Sequence, residues 1–281
     1  MRCDSHVHIV GPPGRYPQVP ERTYLAGIAA LDELKRRGPP HGITRFVIVQ
    51  PSFYGTDNSA TLDALDALGD NGRGVAVIDP GKTPNAALEE MHRRGVRGLR
   101  INLYSPLAAG KRMDDSFAAT AAVARRMNWH IQVIAPLPVL LESERLLAQS
   151  PVPIVIDHYG VYGKARPEDA EGQRLLNLVR MPHVWIKLSA PYRLDDGPMS
   201  TRPDREWVAE LYAAAPPRCV WGSDWPHPPE ASAHKGRDAQ APYRDLSYDS
   251  LVEDFIAALP SPALANQIMR DNPARLYGFG A

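Results

Sequence analysis

The sequence predicts an α/β protein, a closed (β/α)8 barrel of the TIM type, with its active site at the C-terminal ends of the strands. Three observations predict it. Eight apolar runs of strand length recur along the 281 residues. Segments with apolar residues at three- and four-residue spacing fall between them, which is the β-α alternation of a parallel barrel. The composition, 44% hydrophobic and 23% charged, is that of a packed chain, neither disordered nor fibrous. About 150 residues per domain would allow two domains, but barrels of this type reach about 250 residues as one unit. With no low-complexity linker, residues 1–281 are expected to form a single domain.

The strand runs are residues 3–10, 45–50, 74–79, 98–103, 130–135, 153–158, 184–189 and 219–224. Their centres, such as Val47-Ile48-Val49 and Ile154-Val155-Ile156, are β-branched and almost continuously apolar, as in strands buried on both faces. Helical spacing covers 25–37, 60–68, 84–94, 114–127, 138–149, 171–179 and 204–214, with 248–258 and 262–270 after the last strand. Asn58-Ser59 and Ser247 stand where helix caps are expected. An open doubly wound sheet is the alternative, but no G-x-G-x-x-G follows the first strand and no Walker sequence occurs. The 28 prolines point to many loops of fixed backbone. The least regular stretches, 11–22 and 226–242, both follow strand ends, where barrel loops build active sites.

Thirty-two basic residues balance thirty-two acidic ones, so no field gathers nucleic acid or anionic membrane. No run approaches 18 apolar residues and the first residues carry no apolar h-region, so neither a membrane span nor a signal peptide is expected. Cys3 and Cys219 open apolar runs and read as reduced core thiols. A cytoplasmic protein with a small-molecule partner is expected. A homo-oligomer is left open.

His6 and His8 lie two apart on the first strand and so share a face. His158 ends the sixth strand and Asp224 the eighth. Singly, each histidine reads as a hydrogen-bonded core or rim residue. Together, on three strand ends at the catalytic face of one barrel, they read as a reaction centre. Arg100 and Asn102, two apart on the fourth strand, both point inward. An inward arginine suits a bidentate hold on a substrate carboxylate, or else a structural ion pair with Asp157 or Asp79. Gln50, Ser52, Tyr54 and Asn58 offer neutral hydrogen bonds from the loop after the second strand, or shape a turn there.

Asp4-Ser-His-Val-His8, Ile156-Asp-His-Tyr-Gly160, Gly222-Ser-Asp-Trp-Pro-His227 and the ending Asp271-Asn-Pro-Ala-Arg-Leu-Tyr277 together resemble the amidohydrolase superfamily. Within it, the chain is similar to the branch of 2-pyrone-4,6-dicarboxylate and sugar-acid lactonases. Val49-Gln-Pro-Ser-Phe-Tyr-Gly-Thr-Asp-Asn58, Pro20-Glu-Arg-Thr-Tyr24 and Gly98-Leu-Arg-Ile-Asn102 carry the same resemblance, which runs almost end to end. It implies a lactone hydrolase. Asp224 would be the general base, its pKa raised if the mouth is dry, and His6, His8 and His158 would polarise the carbonyl. Arg193, after the seventh strand, matches a substrate-gripping arginine of that branch.

Metal-bearing members of the superfamily use the first-strand histidine pair, a histidine ending the fifth strand and the eighth-strand aspartate. Here His130 opens the fifth strand and Ile134 and Ala135 end it. The resemblance therefore implies operation without a metal cofactor. One zinc or manganese ion on His6, His8 and Asp224, serving a hydrolase or decarboxylase, is the alternative. The pyrone lactonases resemble His-x-Gly-Arg where this chain reads His158-Tyr-Gly-Val161, and carry a basic pair where it reads Leu103-Tyr-Ser-Pro106. Two carboxylate-gripping arginines are thus missing. A less charged, carboxylated or polyhydroxylated lactone fits better, with Tyr104, Ser105 and Tyr159 placed to meet hydroxyls. Lactone isomerisation, in which an internal hydroxyl replaces water, is a further alternative. A barrel serving only as a binding module would lack a working base, and Asp224 argues against it.

Overall fold

The eight apolar runs form eight parallel strands in a single sheet whose order follows the chain. The strands are Arg2–Val7, Ile43–Val49, Gly72–Ala76, Val96–Asn102, His130–Ile134, Ile154–Ile156, Val184–Ser189 and Cys219–Gly222. A computed structural model describes residues 1–194 and 200–280. The sheet curls until its edges meet, as the Asp224 amide donates to the His6 carbonyl at 2.8 Å and the His8 amide to the Trp225 carbonyl at 2.8 Å. Glycine is required at this seam. A Cβ on Gly222 would sit 2.6 Å from the His6 Cβ and 2.7 Å from its amide nitrogen. The result is the (β/α)8 barrel, with helices packed outside. Among the described residues no helix is long and apolar enough to cross a membrane.

The N-terminal end of the barrel is plugged by the chain's own C-terminal segment. Tyr277 and Phe279 pack against Cys3, Val47, Val49 and Val75, and Arg45 and Arg73 hold the segment through the carbonyls of Gly280, Tyr277 and Gly278. Both cysteines are free and buried, and burial pushes the Cys219 thiol up to about 12, so neither is poised as a nucleophile.

Three expected helices differ. Of residues 25–37, only Leu31–Arg37 is helical. Leu25–Ala26 is a short strand paired in parallel with Gln240–Ala241. That pairing ties the loop after the first strand to the loop after the eighth, a long-range contact that helical spacing cannot show. Residues 138–149 break at Ser143 into Leu137–Glu142 and Glu144–Ala148. Residues 262–270 become Leu264–Asn266 followed by a π-helical turn, Gln267–Asp271. Ser247 caps its helix by accepting from the Ser250 amide. Asn58 caps nothing. Its side chain spans to the end of the third strand, donating to the Val77 carbonyl and accepting from the Val77 amide.

Asp4, which sequence reasoning passed over, fastens the seam. Oδ1 accepts from the amides of His6 at 3.2 Å and Ser223 at 2.9 Å, and Oδ2 from the Tyr248 hydroxyl at 3.0 Å. Burial pushes its carboxyl up to about 6, against the pull of the Ser223, His6 and Tyr248 hydrogen bonds. A carboxyl raised above its unfolded value binds its proton more tightly when folded, so its contribution to stability falls as pH rises from about 4 to about 6. Asp4→Asn keeps the acceptor and removes this titration. Urea unfolding of both proteins across that window is expected to show the stability difference moving toward Asn by roughly 2–3 kcal/mol. A difference constant with pH would contradict this account.

Candidate active site

At the C-terminal mouth, four side chains converge from three strand ends. His8 Nε2 lies 3.2 Å and His6 Nε2 3.5 Å from Asp224 Oδ1, and the His6 and His158 rings sit 4.6 Å apart. His6, His158 and Asp224 are fully buried and His8 almost so. His158 and Asp224 have φ of 51° and 59°, the left-handed region where non-glycine residues are held at a cost of about 1–2 kcal/mol. Each turns the backbone out of its strand within one residue and leaves its side chain in the mouth.

The rear contacts of the ring are equally defined. His8 Nδ1 is 2.7 Å from the Val49 carbonyl and therefore carries hydrogen, leaving Nε2 toward Asp224. His158 Nδ1 is 2.8 Å from the Ser189 hydroxyl. Among the described residues, His6 Nε2, His158 Nε2 and Asp224 Oδ1 have no hydrogen-bond partner. Three buried, unsatisfied polar atoms in one place cost folding energy and are the mark of a site built for something else. Burial holds His158 down to about 4 and His6 well below the usual histidine range, so both rings are neutral near pH 7.

Asp224 corrects the expectation of a raised pKa. Burial would raise it, but the Arg193 guanidinium, with Nε 2.8 Å from Oδ2, and the neighbouring histidines hold the carboxyl well below the usual range. The Tyr192 hydroxyl also donates to Oδ2, at 2.6 Å.

A cavity of about 270 Å³ opens above, and of the expected residues His8, Ser52, Arg100, Asn102 and Arg193 line it. Tyr104 and Ser105 line it too, with Tyr24, Phe53 and Tyr243 farther out. Arg100 NH1 donates to the Gln50 carbonyl at 2.9 Å and NH2 is 4.0 Å from Asp157, while Nε is unpartnered. Asn102 Oδ1 accepts from the amides of Tyr104 and Ser105 and so shapes that wall. The structure does not bring Gln50 and Tyr54 to the cavity. Gln50 is spent on the carbonyls of Gly55 and Asp57 and the Thr61 hydroxyl, and the Tyr54 hydroxyl accepts from the Gly11 amide. They build the second loop that supports Arg100. Tyr159 is likewise buried, edge-on to Tyr162.

Sequence reasoning missed the layer beneath. Lys187, wholly buried on the seventh strand, lies 2.6 Å from Gln132 Oε1, 3.4 Å from His6 Nδ1 and 3.5 Å from Asp157 Oδ1. Burial lowers its ammonium to about 8, against the pull of Asp157. The signal was present: a lysine inside Val184-Trp-Ile-Lys-Leu188 cannot be a surface cation if that strand is buried on both faces.

His6, His8 and Asp224 place one donor atom each within 4.8 Å of one another, the composition of a three-ligand zinc site. Their surroundings do not fit one. Metal-bound histidines normally turn their other nitrogen to an acceptor alone, as His8 does, whereas His6 Nδ1 stands between the Asp157 carboxylate at 3.3 Å and the Lys187 ammonium at 3.4 Å, and Asp224 Oδ2 meets Arg193. A fixed positive charge stands directly behind Asp224, and an ammonium competes with a carboxylate behind His6. The fifth-strand end offers Ile134, and His130 lies at the opposite end against Tyr277.

A barrel with an acid–base cluster at its C-terminal mouth is the architecture of an enzyme. The chain belongs to the amidohydrolase family, whose profile matches residues 3–279. It is 30% identical, over 98% of its length and 89% of the relative's, to a 2-pyrone-4,6-dicarboxylate hydrolase of Comamonas testosteroni. It is 29% identical, over 98% and 88%, to a 4-sulfomuconolactone hydrolase of Hydrogenophaga intermedia. A Pseudomonas putida crystal structure, described as a candidate 2-pyrone-4,6-dicarboxylic acid hydrolase, superposes with a TM-score of 0.80 at 29% identity, covering 100% of this chain and 98% of that one.

Proposed function

We propose that this protein is a hydrolase that opens a small carboxylated or polyhydroxylated lactone by water attack, without a metal ion. The observation that carries the reading is the set of unpartnered buried atoms, His6 Nε2, His158 Nε2 and Asp224 Oδ1, beside a cavity of substrate size. Asp224 takes a proton from the attacking water, His6 and His158 donate to the oxyanion forming on the lactone carbonyl, and as the ring C–O bond breaks the proton passes from Asp224 to the leaving oxygen. Arg100 and Arg193 hold the substrate's anionic group, and Asn102 shapes the wall of the cavity beside them. Arg193 changes partner as it does so. Drawn from Asp224 Oδ2 toward the substrate carboxylate, it leaves Asp224 a stronger base at the moment water must be activated.

The test is a pH-stat survey of lactones, with and without chelator. Acid release that survives chelation, fastest on a monocarboxylated or polyhydroxylated ring, is the expected result. Lactone consumed without acid release would show isomerisation instead. Turnover abolished by chelator and restored by zinc or manganese would overturn the metal-free reading.

A further inference from the structure

The charged layer beneath the site decides which nitrogen of His6 carries hydrogen. An ammonium has three N–H donors and no acceptor, and Lys187 has three acceptors within reach: Gln132 Oε1 at 2.6 Å, His6 Nδ1 at 3.4 Å and Asp157 Oδ1 at 3.5 Å. The Gln132 amide is oriented by its two neighbours, accepting from Lys187 and donating through Nε2 to Asp157 Oδ2 at 2.9 Å. Asp157 Oδ1, 3.3 Å from His6 Nδ1 and 3.5 Å from Lys187, lies close to both without a hydrogen bond of standard geometry to either. If Nδ1 carried the hydrogen, an N–H would point at an N⁺–H and the buried ammonium would lose an acceptor, a loss that a dry interior does not repair. With Nδ1 bare, every donor of Lys187 faces an acceptor.

We propose that Lys187 is a positioning residue that holds His6 in the Nε2–H tautomer and so makes it a hydrogen-bond donor to the reacting carbonyl. The Nε2–H then points toward Asp224 Oδ1, 3.5 Å away, both atoms being free for substrate or water. The same hydrogen removes the lone pair that a metal ion would need. The hydrogen bond that Lys187 donates to Nδ1 also polarises the ring and makes its Nε2–H a stronger donor. The donor role rests on the lactone-opening reaction proposed above, and the tautomer does not.

The wild-type protein tests the tautomer directly. In ¹⁵N-histidine-labelled protein at pH 7, long-range ¹H–¹⁵N correlations of His6, assigned by their loss in His6→Gln, are expected to show a protonated Nε2 and a bare Nδ1. A protonated Nδ1 would overturn the proposal. In Lys187→Met the pattern is expected to exchange, with Nδ1–H donating to Asp157, and kcat to fall at little-changed KM. Zinc affinity, read against a chromophoric chelator, is expected to rise about tenfold or more, the range in which groups behind a ligand act. His6 keeping Nε2–H in that variant would show that Lys187 does not set the tautomer. If Lys187→Met does not fold, the Lys187→Met/Asp157→Asn pair removes both charges together. There His6 is expected to lose its single-tautomer signature, and unchanged signals again overturn the proposal. If the expected tautomers are found in a protein that opens no lactone, the proposed reaction fails and this assignment stands.

Discussion

Replacing Asp224 by Asn is expected to lower kcat on a carboxylated lactone by about 10² or more while KM changes little, because general-base assistance is worth about 10²–10⁴. Asparagine keeps the volume and can still accept from the Tyr192 hydroxyl at the position of Oδ2, so the geometry survives while proton affinity is lost. Binding should not suffer, since Arg193 gives up its 2.8 Å bond to a charged Asp224 and is freer to meet a substrate carboxylate. The pH dependence gives a second reading of the same group. Burial acts upward on the Asp224 carboxyl, but Arg193 and the histidines hold it well below the usual carboxylate range. The free enzyme therefore keeps its base ionised throughout the usual carboxylate range, and kcat/KM should show no acid limb there. The bound enzyme, with Arg193 turned to the substrate, should show its kcat limb at higher pH than that of kcat/KM. A kcat for Asp224→Asn within about threefold of wild type would exclude Asp224 as the base.

The strands were legible because most are short, nearly continuous apolar runs, several of them rich in valine and isoleucine, set between segments of helical spacing. Their order and parallel direction then brought His6, His8, His158 and Asp224 to one mouth with no further information. What lay beyond the sequence was set by long-range pairing. Leu25–Ala26 has the spacing of a helix start and is a strand only because Gln240–Ala241 lies beside it. Gln50 and Tyr54 sit in a motif typical of a substrate loop, yet their polar atoms are consumed by neighbouring backbone and side chains, Gln50 by Asp57 and Thr61 and Tyr54 by the Gly11 amide of the first loop. The pKa of Asp224 was misjudged for a related reason. Burial can be read from an apolar strand, but the partner that outweighs it, Arg193, comes from another loop. Lys187 was readable in principle, since an inward position on a buried strand demands a partner, although which partner is a matter of register between strands.

Arg100→Met is expected to raise KM for a carboxylated lactone by about 10–10², with a smaller fall in kcat, as the loss of binding shared by ground and transition states requires. The side chain is nine-tenths buried and already aimed. NH1 is anchored on the Gln50 carbonyl, NH2 stands 4.0 Å from Asp157, and Nε is left without a partner. A guanidinium fixed at one corner and open along an edge loses little freedom when a carboxylate docks, which is the condition for a strong two-point hold. Methionine retains much of the stem and deletes the fork. Asp157 keeps Lys187 and the Gln132 amide, so the substitution leaves no carboxylate alone in the barrel and the fold should survive. The contrast that isolates the clamp is a matched pair of lactones, one carboxylated and one uncharged. The wild type should prefer the first and Arg100→Met should lose most of that preference, since the uncharged ring never engaged the guanidinium. Equal losses on the two rings would show that Arg100 serves the barrel's structure through Gln50 and Asp157 and does not hold the substrate's anion.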